Sequence, residues 1–167
     1  MLLRRLIICA ALLGAIVGSG SSSGAILADD ADGWHTWQLD EPAASTNLCC
    51  FTHTKSSTSQ RGCNLDARNR SLSNDGDCAA LPGTIKVFVH MIEGHPQDIL
   101  VLSAQCPVFS ESAVIDHGLV SAGDNVDWFR SIIENRRLSK DIREMALFAL
   151  VQSNSEEAYV YLDKLLS

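Results

Sequence analysis

The chain has 167 residues, about the length of one domain, and its 13 basic and 20 acidic side chains give a formal charge of −7 at pH 7. An acidic surface repels the phosphates of nucleic acids and of anionic lipids. The composition therefore argues against nucleic-acid binding and against electrostatic attachment to a membrane.

The first 28 residues have the pattern of a secretory signal peptide. The segment MLLRRLIICAALLGAIVGSG begins with Arg4 and Arg5, continues as an apolar run and ends in small residues. The apolar run, residues 6–18, is shorter than the roughly 20 residues that a membrane-spanning helix needs. We therefore predict that residues 1–28 are a signal peptide and leader, and that the mature protein is periplasmic or secreted, without stable membrane insertion.

The segment GWHTWQLDEP predicts a short strand with a turn behind it, and it ends at Pro42. It brings Trp34 and Trp37 close together in the sequence. Because indole rings carry large apolar areas, we expect both to pack in the core rather than to form a platform for a ligand.

Five cysteines follow the leader, and export would place them in an oxidising compartment, where disulfides are favoured. Adjacent residues on a strand point to opposite faces, so Cys49 and Cys50 should have different partners. Cys63 lies across a polar loop, and Cys106 ends a later strand. We predict two disulfides among these four cysteines, with Cys78 free. Cys78 would replace Cys106 if Cys106 were buried and reduced.

The sequence contains none of the motifs of common active sites. It lacks paired C-x-x-C zinc spacing, an H-x-x-x-H helix, a G-x-S-x-G elbow and a phosphate loop. We therefore predict no catalytic residue, no metal site and no cofactor. The alternative is a thiol- or metal-dependent enzyme that uses Cys49, Cys50 and Cys63, in which Cys50 could pair with His53 or His117.

The segment TIKVFVHMIEGHPQDILVLSAQC predicts a β-hairpin, because apolar residues alternate along both halves and Gly94 and Pro96 lie between them. Both strands are apolar on both faces near their middle, which predicts a central position with packing on each side. The segment AVIDHGLV predicts a further short strand.

Three helices are predicted after residue 120. The first has Asp124 as its cap, the second begins after Ser139, and the third begins at Ser155. The second helix has a full apolar stripe, which Leu147 widens. We therefore expect this helix to be buried nearly all round.

The segment DIREMALFALVQSNSEEAYVYLDKLL resembles a HEAT-type helical repeat. It has an R-x-x-A-L-x-x-L core, a polar turn, acidic residues and a helix that ends in paired leucines. The preceding segment DNVDWFRSIIENRRLS resembles the helix before such a unit. A solenoid needs about three repeats to bury its core, so these helices must close onto the β region or onto another protein.

The front half resembles small exported bacterial proteins that join a cysteine-bearing β region to a HEAT-like tail. The shared features are an early tryptophan, Cys49–Cys50, Cys63 and the segment CPV at 106–108, whereas Cys78 is extra. The resemblance implies an interaction or accessory role in the envelope.

Together these patterns predict an α+β fold, in which a small disulfide-stapled antiparallel sheet precedes a three-helix HEAT-like unit. The expected divisions are 1–28 (leader), 29–120 (β region) and 121–167 (helices). The expected function is that of a non-enzymatic exported protein that binds another envelope protein through its helices.

Overall fold

The computed structural model describes residues 31–39, 49–53, 59–67, 70–73, 84–153 and 155–167, and only the backbone of 49–53, 59–61 and 70–73. The predicted leader and Cys78 lie outside these ranges. In chain order the elements are β1 (Gly33–Leu39), β2 (Cys49–His53), β3 (Ser59–Arg61), β4 (Cys63–Asn64), β5 (Arg70–Ser73), β6 (Ile85–Ile92), β7 (His95–Ser103), β8 (Val108–Phe109), β9 (Val114–Val120), α1 (Ala122–Glu134), α2 (Lys140–Gln152) and α3 (Glu156–Leu166).

The main sheet has four strands in the order β7-β6-β1-β9. The pairs β7–β6 and β6–β1 are antiparallel, but β9 runs parallel to β1. The prediction of an antiparallel sheet is therefore wrong for this edge, and the sheet is mixed. Parallel neighbours need a long crossover, and the chain between β1 and β9 is long enough to provide one. Two small sheets, β3-β2-β5 and β4-β8, complete the described strands.

The predicted hairpin is confirmed, with a tighter turn than expected. Glu93 (φ 51°) and Gly94 (φ 71°) both have positive φ, the pattern of a two-residue type I′ turn, which matches the twist of paired strands. Pro96 lies inside β7, paired with Met91 and next to a register shift at which β7 has one extra residue, rather than in the turn. The predicted central position in the sheet is confirmed for β6, whereas β7 is an edge strand among the described strands of this sheet.

Both faces of the main sheet are covered. Trp34 and Trp37 are an odd number of residues apart on β1, so their rings point to opposite faces. Trp37 packs among apolar residues of the helices, such as Phe129 and Leu150, whereas Trp34 packs with Cys63, Leu65 and Cys106 on the other side. Both tryptophans are core residues, as predicted, and the helices close onto the β region.

Each helix begins with a serine cap. The hydroxyl of Ser121 accepts a hydrogen bond from the backbone N–H of Asp124, and Ser139 and Ser155 cap α2 and α3 in the same way. The predicted cap of α2 and the predicted start of α3 at Ser155 are confirmed. The expectation for α1 is wrong, because Asp124 lies in its first turn, where its carboxylate accepts from the Ser121 hydroxyl at 2.8 Å.

The second helix buries one side only. Ala146, Ala149 and Leu150 are buried against the sheet and α1, but Phe148 is 49% exposed and Leu147 is only partly buried. The expectation that this helix is buried nearly all round is therefore wrong, because no described element covers its outer side. In the described part of the chain, no helix combines the length and apolar character needed to span a bilayer.

Candidate functional site

The cysteines predicted to form the disulfides lie at the layer opposite the helices. Cys49 and Cys50 are on β2, with side chains outside the described set. Cys63 is fully buried on β4 and is disulfide-bonded, and its partner also lies outside the described side chains.

Cys106 is a free, buried thiol, so the bridge predicted at this residue is wrong in this structure. Its backbone N–H donates to the Ser103 carbonyl in a turn after β7, which directs the thiol into the apolar cluster beside Trp34. There it packs as a small hydrophobic residue.

A carboxylate holds this cysteine-bearing layer to the main sheet. Oδ1 of Asp66 accepts from the Trp34 indole N–H at 3.0 Å, and Oδ2 accepts from the Ser110 hydroxyl and the Glu111 backbone N–H. Desolvation acts to raise the pKa of Asp66, but these hydrogen bonds and the His90 ring outweigh it and lower that pKa below its ordinary value. Asp66 therefore acts as an ionised structural link.

Two histidines form a direct pair between β1 and β9. Nδ1 of the buried His35 lies 2.9 Å from Nε2 of His117, and the rings are stacked at 5.2 Å. Nε2 of His35 lies 2.7 Å from the carbonyl oxygen of Ala31, which only accepts, so this nitrogen carries a proton. In neutral His35 the Nδ1 atom then accepts from His117. The sequence left open a pairing of Cys50 as nucleophile with His117 as base. The structure does not test this pairing, because the side chain of Cys50 lies outside the described set.

A groove of about 840 Å³ lies between α1 and α3. We call it the helical groove. Its first wall is one side of α1, where the lining residues recur every three or four positions: Gly123, Val126, Asp127, Arg130 and Glu134. Val126 is buried at the base, and Asp127 and Arg130 form an ion pair at 3.1 Å.

The second wall of the helical groove is one side of α3. Val160 and Leu165 are 52% and 47% exposed, and they stand among Glu156, Glu157 and Lys164. The groove therefore combines a few apolar side chains from both helices with six charged ones.

Tyr161 joins the two walls, because its hydroxyl donates to Oε1 of Glu134 at 3.3 Å. Burial of the ring and the carboxylate of Glu134 raise the pKa of Tyr161, while Arg130 opposes the rise. The hydroxyl is therefore a donor that links α3 to α1.

A smaller recess of about 490 Å³ lies between β7 and α2. Val101, Met145 and Phe148 supply much of its apolar lining, and Asp141 and Glu144 stand at its border. Among the described residues, no group of three or more His, Cys, Asp or Glu side chains is placed to hold a metal ion.

Sequence patterns predicted an interaction surface on the helices but did not locate the helical groove. Val160 is the residue that carried a usable signal, because it is apolar yet stands outside the stripe of α3 that includes the buried Ala158 and Tyr161. An apolar side chain on the outer side of a helix indicates a surface beyond the core.

Comparison with known proteins found no similarity: no family model, no curated protein and no solved structure matches this chain.

Proposed function

We propose that the protein is a non-enzymatic exported module that binds another envelope protein through its helices. The observation that carries this proposal is the apolar exposure of α3, where four large side chains face outward: Tyr159, Val160, Leu165 and Leu166. Scattered exposed apolar residues are common, but a set concentrated on one short helix beside a groove is typical of a binding surface.

The cysteines support a structural role over thiol chemistry. Cys63 is buried and disulfide-bonded, and Cys106 is enclosed in an apolar cluster, where no described base contacts it. A nucleophilic cysteine needs an exposed thiolate beside a base or a cation. We propose that two disulfides staple the β region. Because Cys106 is free, Cys78 takes its place as the partner in the second bridge.

We also propose that α1–α3 form a HEAT-like unit that uses the main sheet as the neighbour that a further repeat would otherwise supply. The shared core of Phe129, Leu150 and Tyr161 with the sheet supports this. Stacked helical repeats bury their inner side and leave an extended surface for partners.

The test is a pull-down from the native envelope with the tagged protein and two variants. Leu165→Lys changes the helical groove, whereas Val151→Lys changes a similarly exposed apolar residue outside it (47% and 45% exposed). We expect a partner that is recovered with the wild type and with Val151→Lys and is lost with Leu165→Lys. Recovery of the same proteins with all three baits would contradict the proposal.

A further inference from the structure

We propose that the helical groove binds an amphipathic helix of the partner protein, with an apolar stripe along one side and Lys or Arg residues on its flanks. This inference rests on the proposed function and specifies the chemistry of the partner. Three properties of the groove carry it: its shape, its apolar base and its charge.

The shape of the groove fits a helix. Its walls are the sides of two helices of 13 and 11 residues, which are about 20 Å and 16 Å long at 1.5 Å per residue. The lining positions repeat at helical spacing along both. A third helix of similar length can therefore lie between them, as amphipathic helices do in apolar grooves.

The apolar residues of the groove lack cover on one side. Val126 is buried in the base, but Val160 and Leu165 keep about half of their surface exposed. A helix with apolar residues at positions i, i+3, i+4 and i+7 would bury these side chains from the open side. Such burial in a water-excluded centre is where interfaces concentrate their binding energy.

The charge of the groove selects a basic occupant. The lining contains four carboxylates and two cations, and one of those cations, Arg130, already pairs with Asp127. The remaining lining charges are Glu134, Glu156, Glu157 and Lys164, which leave the groove negative. A second copy of this acidic chain, with its formal charge of −7, is disfavoured by repulsion.

The test uses a fluorescent 14-residue peptide with leucines along one helical side and lysines elsewhere, and a second peptide with glutamates in place of the lysines. Binding to the full-length protein is measured by fluorescence anisotropy at two salt concentrations. We expect saturable binding of the lysine peptide that weakens with added salt, and much weaker binding of the glutamate peptide.

Two matched variants locate the binding. Val160→Lys lies in the groove and Val151→Lys lies outside it, and the two valines are similarly exposed (52% and 45%). We expect Val160→Lys to weaken binding about ten-fold, since the loss of a central apolar anchor costs more than 1 kcal/mol and 1.4 kcal/mol is ten-fold. We expect Val151→Lys to bind as the wild type. The reversal Glu156→Lys with Glu157→Lys should also weaken binding.

Circular dichroism melts of each variant show that the fold is kept. The inference is overturned by equal binding of both peptides, by equal losses in both valine variants, or by no saturable binding up to about 1 mM peptide. It is also overturned if sedimentation shows a dimer that Val160→Lys dissociates, because the occupant is then a second copy. If the pull-down shows a groove-dependent partner while the lysine peptide fails, the proposed function stands and only the basic helix is wrong.

Discussion

The one-sided burial of α2 can be tested with a single pair of substitutions. Leu150 is fully buried in the core between the helices and the sheet, whereas Leu147, on the same helix, is only partly buried. Replacing either with alanine removes the same atoms from the same helix, and alanine is a better helix former than leucine. The difference between the two variants therefore measures tertiary packing.

We expect Leu150→Ala to lower the free energy of unfolding by about 3–4 kcal/mol, because a fully buried leucine leaves a cavity that a shared core cannot fill. Leu147→Ala should cost less, about 1 kcal/mol, since part of the leucine surface already meets solvent. Urea unfolding followed by the fluorescence of the buried tryptophans measures both values. Equal losses of about 3 kcal/mol would show that α2 is covered on its outer side and would refute the reasoning.

Four further predictions concern the β region and its junction with the helices. Gly62→Ala should destabilise the protein by about 1–3 kcal/mol in urea, because Gly62 has a φ of +127° and an added Cβ would lie 2.6 Å from the Phe109 ring. Asn125→Ala should cost about 1–3 kcal/mol, since it removes the acceptor of the buried Trp37 indole N–H, and the loss should be smaller in a Trp37→Phe background. Asp66→Asn should destabilise the protein at pH 6. The carboxylate accepts from three donors on two oxygens, whereas an amide has only one oxygen that can accept. A lowered folded pKa means that this stability is present above the ordinary value of 3.8 and lost as pH falls through the folded pKa, so the gap between variant and wild type should shrink in acid. Thiol titration of the denatured, unreduced mature protein should find one free thiol, assigned to Cys106 by peptide mapping, whereas three or more would favour the enzyme alternative.

Local signals in the sequence predicted most of the elements. Strand alternation located β6 and β7, and serines before apolar stripes located the starts of α2 and α3, because hairpin pairing and helix capping depend on residues close together in the chain. The positions of Trp34 and Trp37 on opposite faces follow from their odd spacing.

Long-range features were not predictable in the same way. The parallel pairing of β9 with β1 depends on how the intervening chain crosses the sheet, and nothing within AVIDHGLV encodes its direction. The position of Cys106 depends on a turn after β7 and on the apolar cluster that receives it. The helical groove depends on how α3 packs against α1 and α2, which residues far apart in the chain decide.

The central claim is that the helices of this protein bind a partner along the helical groove. Its most direct test is photo-crosslinking in the native envelope, with a benzophenone amino acid at Val160 in the groove and, as a control, at the exposed Gln97 on β7. We expect a discrete adduct at Val160, identified by mass spectrometry as one partner protein, and none at Gln97. No adduct at Val160, or the same adducts at both positions, would contradict it.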